Sequence, residues 1–250
     1  MLNCRDRNPA FADGPFDIIN MVVYNHQTGL THHNPASGAF NVIGNYYRKG
    51  PAGGIGKPFW VGGSQTSNSE PSFWFIDNYL DDAEVNPFGR FDDPWLANHG
   101  QLGESGMGGL PDSHRAPARH DYSGYAEWVA PTVLSSVDAF NHVLQTAGAF
   151  PRDIVTRTAI TEARDRTGAF GCPIRQQLDD QGNAAGSHPL MDGLTPTTPP
   201  LDTDDDGIAD TWETTHGLNP GDASDNNRVM ANGYTAIENY INELAEQLIP

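Results

Sequence analysis

The acidic stretch LDTDDDGIADTWE at residues 201–213 has the residue types of a cation-binding loop. A twelve-residue calcium loop takes its ligands from positions 1, 3, 5, 7, 9 and 12 and has a glycine at position 6 for a sharp turn. Counted from Asp202, position 6 is Gly207. The ligand positions fall on Asp202, Asp204, Asp206, the backbone carbonyl of Ile208, Asp210 and Glu213. The sequence predicts a Ca²⁺ site here, because carboxylates this close together repel one another without a cation.

No helix can lead into this loop, because TPTTPP at 195–200 precedes it. A paired EF-hand has a helix on both sides of its loop. The tail therefore resembles the single calcium loops of dockerin-like and thrombospondin type 3-like repeats, and HGLNPGDASDNN followed by GYTAIENY adds to that resemblance. Such a loop is expected to stabilise or attach rather than to catalyse. A second ion at Asp222, Asp225 and Glu238 is left open, because their spacing matches no template.

Three apolar runs elsewhere in the chain resemble one another. They are DIINMVVYN (17–25), NVIGNYYRK (41–49) and FWFIDNYLD (73–81). Alignment places Ile19, Ile43 and Ile76 in one column, and Asn45 and Asn78 in another. Runs recurring at offsets of 24 and 33 residues predict the coils of a β-solenoid, with the asparagines forming a hydrogen-bonded ladder. An antiparallel sheet of three similar strands is the alternative interpretation.

Helices are predicted in the second half of the chain. Ser135 and Asp138 form a capping box that starts the first helix, and a second helix covers 152–166. The buried face predicted for the first helix is Val137, Phe140, Val143, Leu144 and Ala147, and that of a final helix near the C-terminus is Ile237, Tyr240, Ile241, Leu244 and Leu248. The predicted organisation is strands and side loops over 1–130, a helical segment over 131–172, a linker over 173–200 and the calcium tail over 201–250.

The charge distribution excludes some classes of function. The net charge is −18, and residues 201–250 hold 11 acidic residues against one arginine. No basic patch is present, so nucleic acid is excluded as a partner. No run of eighteen apolar residues encodes a membrane span. Cys4 and Cys172 leave free thiols and a single disulfide both open. A monomer is expected.

The opening segment CRDRNPAFADGPFDIINMVVYN resembles the catalytic strand of pectate lyases. These polysaccharide lyases have an Arg-x-Pro-x-x-Arg stretch followed by a glycine, an apolar strand and an Asn-Asn pair. Arg7 and Pro9 match the start of that pattern, and Gly14 matches the glycine. NVIGNYYRKGP resembles the next coil of the family, and VLQTAGAFPRD resembles the helical stretch that closes many bacterial members.

The resemblance implies a fold and an activity. The fold is an all-β, right-handed parallel β-helix, truncated, with C-terminal helices and the calcium-loop tail. The activity is calcium-dependent β-elimination on polygalacturonate, the pectate of plant cell walls, by a secreted protein. By position Arg7 is the base that removes the C5 proton. Because an arginine pKa lies above about 12, the site must be dry and positively charged to favour the neutral form.

Substrate-binding roles follow for Arg5, Arg48 and Lys49, which would meet an anionic sugar. From the residues alone, other interpretations stay open. Arg7 can pair with a neighbouring aspartate on the surface, and Arg48 and Lys49 can be exposed charges at a turn. Trp60 could stack on a sugar ring, although tryptophan in a β-rich protein more often lies in the core.

The opening segment also departs from the family pattern. The second arginine falls on Ala12 and the second asparagine on Met21. Only six residues precede Arg7, whereas the aspartates that hold the family's catalytic calcium lie on strands before the arginine. We therefore expect a C-terminal portion of a longer lyase, inactive alone, whose signal peptide was lost with the missing N-terminus. The alternative is a non-catalytic, calcium-stabilised carbohydrate-binding or surface-attachment β-helix protein.

Overall fold

The chain is seen in a computed structural model that describes residues 8–11, 13–26, 28–32, 38–51, 57–61, 71–81, 90–91, 112–126, 128–168 and 197–249. It divides into two compact units, which we call the strand unit (Met1–Ala147 with Val155–Pro189) and the tail unit (Gly148–Ile154 with Leu190–Pro250). The predicted domain boundaries stay predictions, because residues 169–196 lie outside the described ranges.

Short strands and helices make up the regular structure of the described ranges. The strands are β1 Ala10–Phe11, β2 Phe16–Ile19, β3 Val22–Tyr24, β4 Thr28–His32, β5 Ala39–Ile43, β6 Tyr46–Arg48, β7 Lys57–Val61, β8 Ser72–Ile76, β9 Asn78–Asp81 and β10 Arg90–Phe91. The helices are α1 Ser136–Thr146, α2 Ile154–Asp165, α3 Asp210–His216 and α4 Ala236–Glu246, with short 3₁₀ helices at Asp112–His114 and Asp225–Asn227. Among the residues described, no helix has the length and apolar character that a membrane crossing requires.

The first nine strands form three parallel sheets, with the orders β1-β4-β7, β2-β5-β8 and β3-β6-β9. Along the chain, each strand joins a different sheet from the strand before it, and this three-strand cycle occurs three times. Ile19 pairs with Ile43, and Ile43 pairs with Ile76. Parallel stacking of the three runs is therefore confirmed, and the antiparallel alternative is wrong for them. The described strands form three separate sheets with four accompanying helices, so the described fold is not all-β.

Each aligned run is two strands rather than one, because the backbone turns in its middle. Asn20, Gly44 and Asp77 occupy the same aligned position and have positive φ angles of 54°, 62° and 52°. Glycine, asparagine and aspartate are the residues that adopt this left-handed conformation most readily. A Cβ on Gly44 would lie 2.5 Å from the Asn20 Nδ2 and 2.7 Å from the Leu134 carbonyl oxygen. The turn thus leaves no room for a side chain at this position.

The buried side of each turn carries the predicted asparagine ladder. Asn45 and Asn78 have no exposed surface. The Asn45 Nδ2 donates to the Asn78 Oδ1 at 2.9 Å, and the Asn45 Oδ1 accepts from the backbone N–H of Met21 at 2.9 Å. Phe40 and Phe73 stack in the adjacent core with ring centroids 4.9 Å apart. The ladder is confirmed, and it satisfies polar groups whose burial would otherwise be costly.

Helix α1 packs against the sheet formed by β3, β6 and β9. Its predicted cap is confirmed, because the Ser135 hydroxyl accepts from the backbone N–H of Asp138 at 3.1 Å. The Phe140 ring lies 4.4 Å from the Tyr46 ring, centroid to centroid. The predicted face was wrong at Val137, whose side chain is 46% exposed.

The tail unit has a small core of its own. Ile208, Leu218 and Ala236 are buried there, packed by Trp212, Met230, Ile237 and Tyr240. Helix α4 begins with a capping box between Thr235 and Glu238. The predicted stripe of this helix is correct at two of its five positions, Ile237 and Tyr240, which pack against the core. It is wrong at Ile241, Leu244 and Leu248, which are 56%, 44% and 48% exposed.

Candidate functional site

Five carboxylates converge in the tail unit. The oxygens of Asp202, Asp204 and Asp206 lie within 4.8 Å of one another, and so do those of Asp206, Glu213 and Asp225. We call these five residues the acidic cluster. Asp206 belongs to both groups, so the cluster is continuous.

Local backbone geometry places the aspartates of this cluster. Gly207 has a φ of 94°, the sharp turn predicted at position 6. The Asp202 carboxylate accepts from the backbone N–H groups of Asp206 at 3.2 Å and Gly207 at 3.0 Å. The Asp206 Oδ1 accepts from the N–H of Ile208 at 2.8 Å, and the Ile208 side chain is fully buried. The loop is thereby folded around its own carboxylates and anchored in the core.

Other oxygens of the cluster have no donor among the described residues. Both carboxylate oxygens of Asp204 and of Glu213 are buried without a hydrogen-bond partner, as are one of Asp206 and one of Asp225. Arg228, the single arginine of residues 201–250, donates instead to the carbonyls of His216 and Gly217. Buried carboxylate oxygens without donors are costly unless a cation compensates them. A hard, all-oxygen donor set of this kind fits Ca²⁺.

The same crowding changes how two of these groups titrate. Burial, followed by the charges of Asp204, Asp206, Asp225 and Asp210, raises the pKa of Glu213 to about 7. Burial and the neighbouring carboxylates also raise the pKa of Asp204 above its ordinary value. Both shifts show that negative charge is disfavoured at the cluster when only protein atoms surround it.

The predicted ligands divide into two sets. Asp202, Asp204, Asp206 and Glu213 lie in the acidic cluster. The carboxylate of Asp210 instead accepts two hydrogen bonds from one residue, Thr203, from its N–H at 2.7 Å and its hydroxyl at 2.6 Å. Ligation by Asp210 and by the Ile208 carbonyl stays a prediction.

Asp225 joins the cluster from outside the loop. The sequence left open a second ion held by Asp222, Asp225 and Glu238, but Asp222 and Glu238 have other partners. The Asp222 carboxylate accepts from Ser224, and the Glu238 carboxylate completes the cap at Thr235. The loop pattern ends at position 12, so it contains no signal for a ligand contributed by a later segment.

Two of the four residues predicted to handle substrate lie outside the described ranges, since Arg5 and Arg7 precede residue 8. Arg48 is described, and its side chain is only 15% exposed. Its guanidinium lies 3.4 Å from the Asp81 carboxylate and 4.8 Å from the Phe140 ring centroid. These contacts hold Arg48 within the fold. Lys49 is half-buried, and its carbonyl accepts from Arg166. Substrate binding by Arg48 and Lys49 stays a prediction.

An aromatic groove of about 310 Å³ lies beside strand β2. It is lined by Pro15, Phe16, Asp17, Tyr122, Tyr125, Trp128, Val129 and Pro131. Tyr125 is 58% exposed, and the Trp128 Nε1 donates to the Asp17 carboxylate at 3.3 Å. Exposed aromatic faces beside a hydrogen-bonding carboxylate are suited to a sugar ring, although sequence analysis did not single out this groove.

Three comparable relatives are all described as probable pectate lyase C. The protein of Aspergillus flavus is 28% identical over 249 residues, that of Aspergillus terreus 28% over 249 and that of Aspergillus oryzae 29% over 248. Each match covers 96% of this chain and 51% of the relative, so the chain spans about half the length of the curated relatives it matches. No family model and no solved structure matches the chain. The similarity supports a pectate lyase-like relationship.

Proposed function

We propose that this chain is part of a secreted, calcium-dependent pectate lyase-like protein that cleaves polygalacturonate by β-elimination. The observation that carries the proposal is the similarity to probable pectate lyase C over nearly the whole chain. The strands add support, because runs that recur through three parallel sheets are what a parallel β-helix requires. A right-handed parallel β-helix is therefore the fold proposed for the strand unit.

The proposed reaction assigns the base to Arg7. Its neutral guanidine takes the C5 proton of a galacturonate unit, a C4–C5 double bond forms, and the C4–oxygen bond breaks as the rest of the polymer leaves. Arg5, Arg48 and Lys49 are proposed to meet the carboxylates of the substrate. For Arg48 this requires that its pair with Asp81 leave part of the guanidinium accessible, as its 15% exposure allows.

The test is an absorbance assay of the unsaturated product, run on the longest polypeptide that includes this chain. Polygalacturonate is the substrate, with Ca²⁺ present or chelated. We expect product to form with Ca²⁺ and Arg7→Lys to abolish turnover. The matched control is Arg157→Lys, because Arg157 is an exposed arginine of α2 that is far from the opening segment in the sequence. Equal turnover in wild type and Arg7→Lys would refute the assignment.

The tail unit is proposed to bind Ca²⁺ as a structural ion. The unpartnered buried oxygens of Asp204 and Glu213 support this role. Bound there, the ion would supply the positive charge that the cluster lacks and would hold the loop against the tail core. Nothing in this role requires the tail to take part in the cleavage reaction.

A second candidate function is carbohydrate binding without catalysis, and the aromatic groove favours it. Asp17 lines this groove, so a neutral sugar suits it better than a uronate would. We expect Tyr125→Ala to weaken retention on an affinity gel made with a neutral plant glycan, and turnover of polygalacturonate to be unchanged. Retention that is unaffected by Tyr125→Ala would remove this candidate.

A further inference from the structure

The Asp225 carboxylate faces the buried oxygens of the calcium loop from outside that loop. One of its oxygens is buried without a hydrogen-bond partner among the described residues, and it lies in the group formed with Asp206 and Glu213. Glu213 itself has no exposed surface, and both of its oxygens are unpartnered. The fully buried Glu213 carboxylate is directed into the space that Asp225 faces. Because a buried carboxylate without donors is costly, Glu213 indicates a bound cation, whatever the number of acidic residues nearby.

The position of Asp225 is fixed by its own hydrogen bonds. Its second oxygen accepts from the backbone N–H of Asn219 at 2.8 Å, which leaves the first oxygen directed at the cluster. The next residue, Asn226, donates from Nδ2 to the carbonyl of Asp206 at 3.2 Å. The 3₁₀ helix at Asp225–Asn227 therefore meets the loop at two consecutive residues.

Asp210, the residue at position 9 of the loop pattern, is occupied differently. Both of its carboxylate oxygens accept from Thr203. Asp202 also accepts two hydrogen bonds, yet its carboxylate lies within 4.8 Å of those of Asp204 and Asp206. The carboxylate of Asp210 belongs to neither group of the acidic cluster among the described residues, and its bonds to Thr203 hold it at the start of the loop. The number of charged ligands is restored if Asp225 takes this place.

We propose that Asp225 is a direct ligand of the tail Ca²⁺ in place of Asp210, so that the ion fastens the segment after the loop to the loop itself. The inference rests on the proposed calcium-binding role of the tail. Two backbone hydrogen bonds connect Asp225 to the last helix. The carbonyl of Asp225 accepts from the N–H of Arg228, and the carbonyl of Arg228 accepts from the N–H of Ala236, the first residue of α4.

Calorimetric titration of the metal-free full chain with CaCl₂ tests the ligand. Asp225→Asn should weaken binding by about tenfold or more, because calcium affinity follows the number of charged ligands. Asp210→Asn should weaken it less than Asp225→Asn does. Asp205→Asn is the matched control, since Asp205 is an exposed acid of the same loop outside the cluster. The affinity of this variant for Ca²⁺ should stay within about threefold of that of wild type.

The outcomes separate the two proposals. If wild type binds Ca²⁺ and Asp225→Asn binds equally well, the role of Asp225 is overturned while the calcium tail stands. A larger loss in Asp210→Asn than in Asp225→Asn also overturns it. If wild type binds no Ca²⁺, the calcium role itself fails.

Hydrogen exchange of the wild-type chain gives a second measurement that needs no variant. The inference requires that Ca²⁺ slow amide exchange at residues 219–228 and in α4 as well as in the loop. Protection confined to residues 202–213 would contradict it. In EDTA, Asp225→Asn should exchange in α4 as wild type does, because asparagine keeps an oxygen that can accept from Asn219.

Discussion

Substitution of Glu213 by glutamine should change the stability of the tail unit in opposite directions with and without Ca²⁺. Without metal, Glu213 is a buried carboxylate crowded by other carboxylates. Glutamine removes that repulsion, and its amide can donate to Asp206 or Asp225. With Ca²⁺, the same substitution removes a charged ligand.

The two effects differ in size. A free Ca²⁺ concentration of 100 times the dissociation constant stabilises the folded tail by about 2.7 kcal/mol, and Glu213→Gln should lose most of this. For a unit of this size, 1 kcal/mol corresponds to a shift in Tm of roughly 4–8 °C, so a loss of about 2 kcal/mol should lower the Tm by about 8–16 °C. In EDTA the gain should be about 1 kcal/mol, because the neighbouring Asp204, Asp206 and Asp225 are half-buried and solvent therefore screens part of the repulsion.

Hydrogen exchange followed by mass spectrometry on the full chain measures these changes in α3 and α4 directly. Asp205→Asn is the control, because it makes the same change of charge in the same loop at a residue whose left-handed φ of 59° asparagine tolerates. It should leave exchange unchanged in both conditions. Two results together would refute the prediction: amide exchange in Glu213→Gln that is faster than in wild type in EDTA, and exchange equal to that of wild type in Ca²⁺.

Three further predictions concern pH and the strand unit. In EDTA, a thermal scan should show the tail gaining stability as pH falls from 8 to 5. The folded pKa of Glu213 is about 7, above its ordinary 4.5, so the folded state binds the proton more tightly than the unfolded state does. Constant stability over this pH range would contradict the prediction. Asn45→Ala should lower the unfolding free energy by about 2–4 kcal/mol in urea, because it leaves buried partners unsatisfied, whereas exposed Asn141→Ala should change little. Gly44→Ala should cost about 1–3 kcal/mol by the same measurement, owing to its positive φ and close contacts. Gly124→Ala is the control, because a Cβ there would meet no atom within 4 Å, and equal effects of the two substitutions would contradict the prediction.

Sequence analysis could predict features that depend on residues close together or on repetition. The parallel pairing of Ile19, Ile43 and Ile76 follows from aligned runs, and the ladder of Asn45 and Asn78 follows from their shared column. Both are consequences of one coil stacking on the next, so similar sequences occupy equivalent positions.

Features that depend on contacts between distant segments were not predictable in this way. Asn20, Gly44 and Asp77 mark the turn within each run, and although all three residue types favour a left-handed backbone, no single residue type repeats at this position to signal the turn. Asp225 reaches the cluster only because the 3₁₀ helix folds back onto the loop. Val137 fits the apolar periodicity of α1 but is exposed, because the periodicity does not specify how much of the apolar helix face the neighbouring sheet covers.

The way the strand stack finishes has a consequence for self-association. The final strand of a parallel stack offers unpaired N–H and C=O groups that a second molecule can copy. Here β10 runs antiparallel along β9, and Arg115 bridges to Phe73 of β8 while the N–H of Ala116 donates to the Phe73 carbonyl. Among the described residues, two of the three sheets thus have part of their last edge paired with the chain itself, which disfavours open-ended growth into fibres at high concentration.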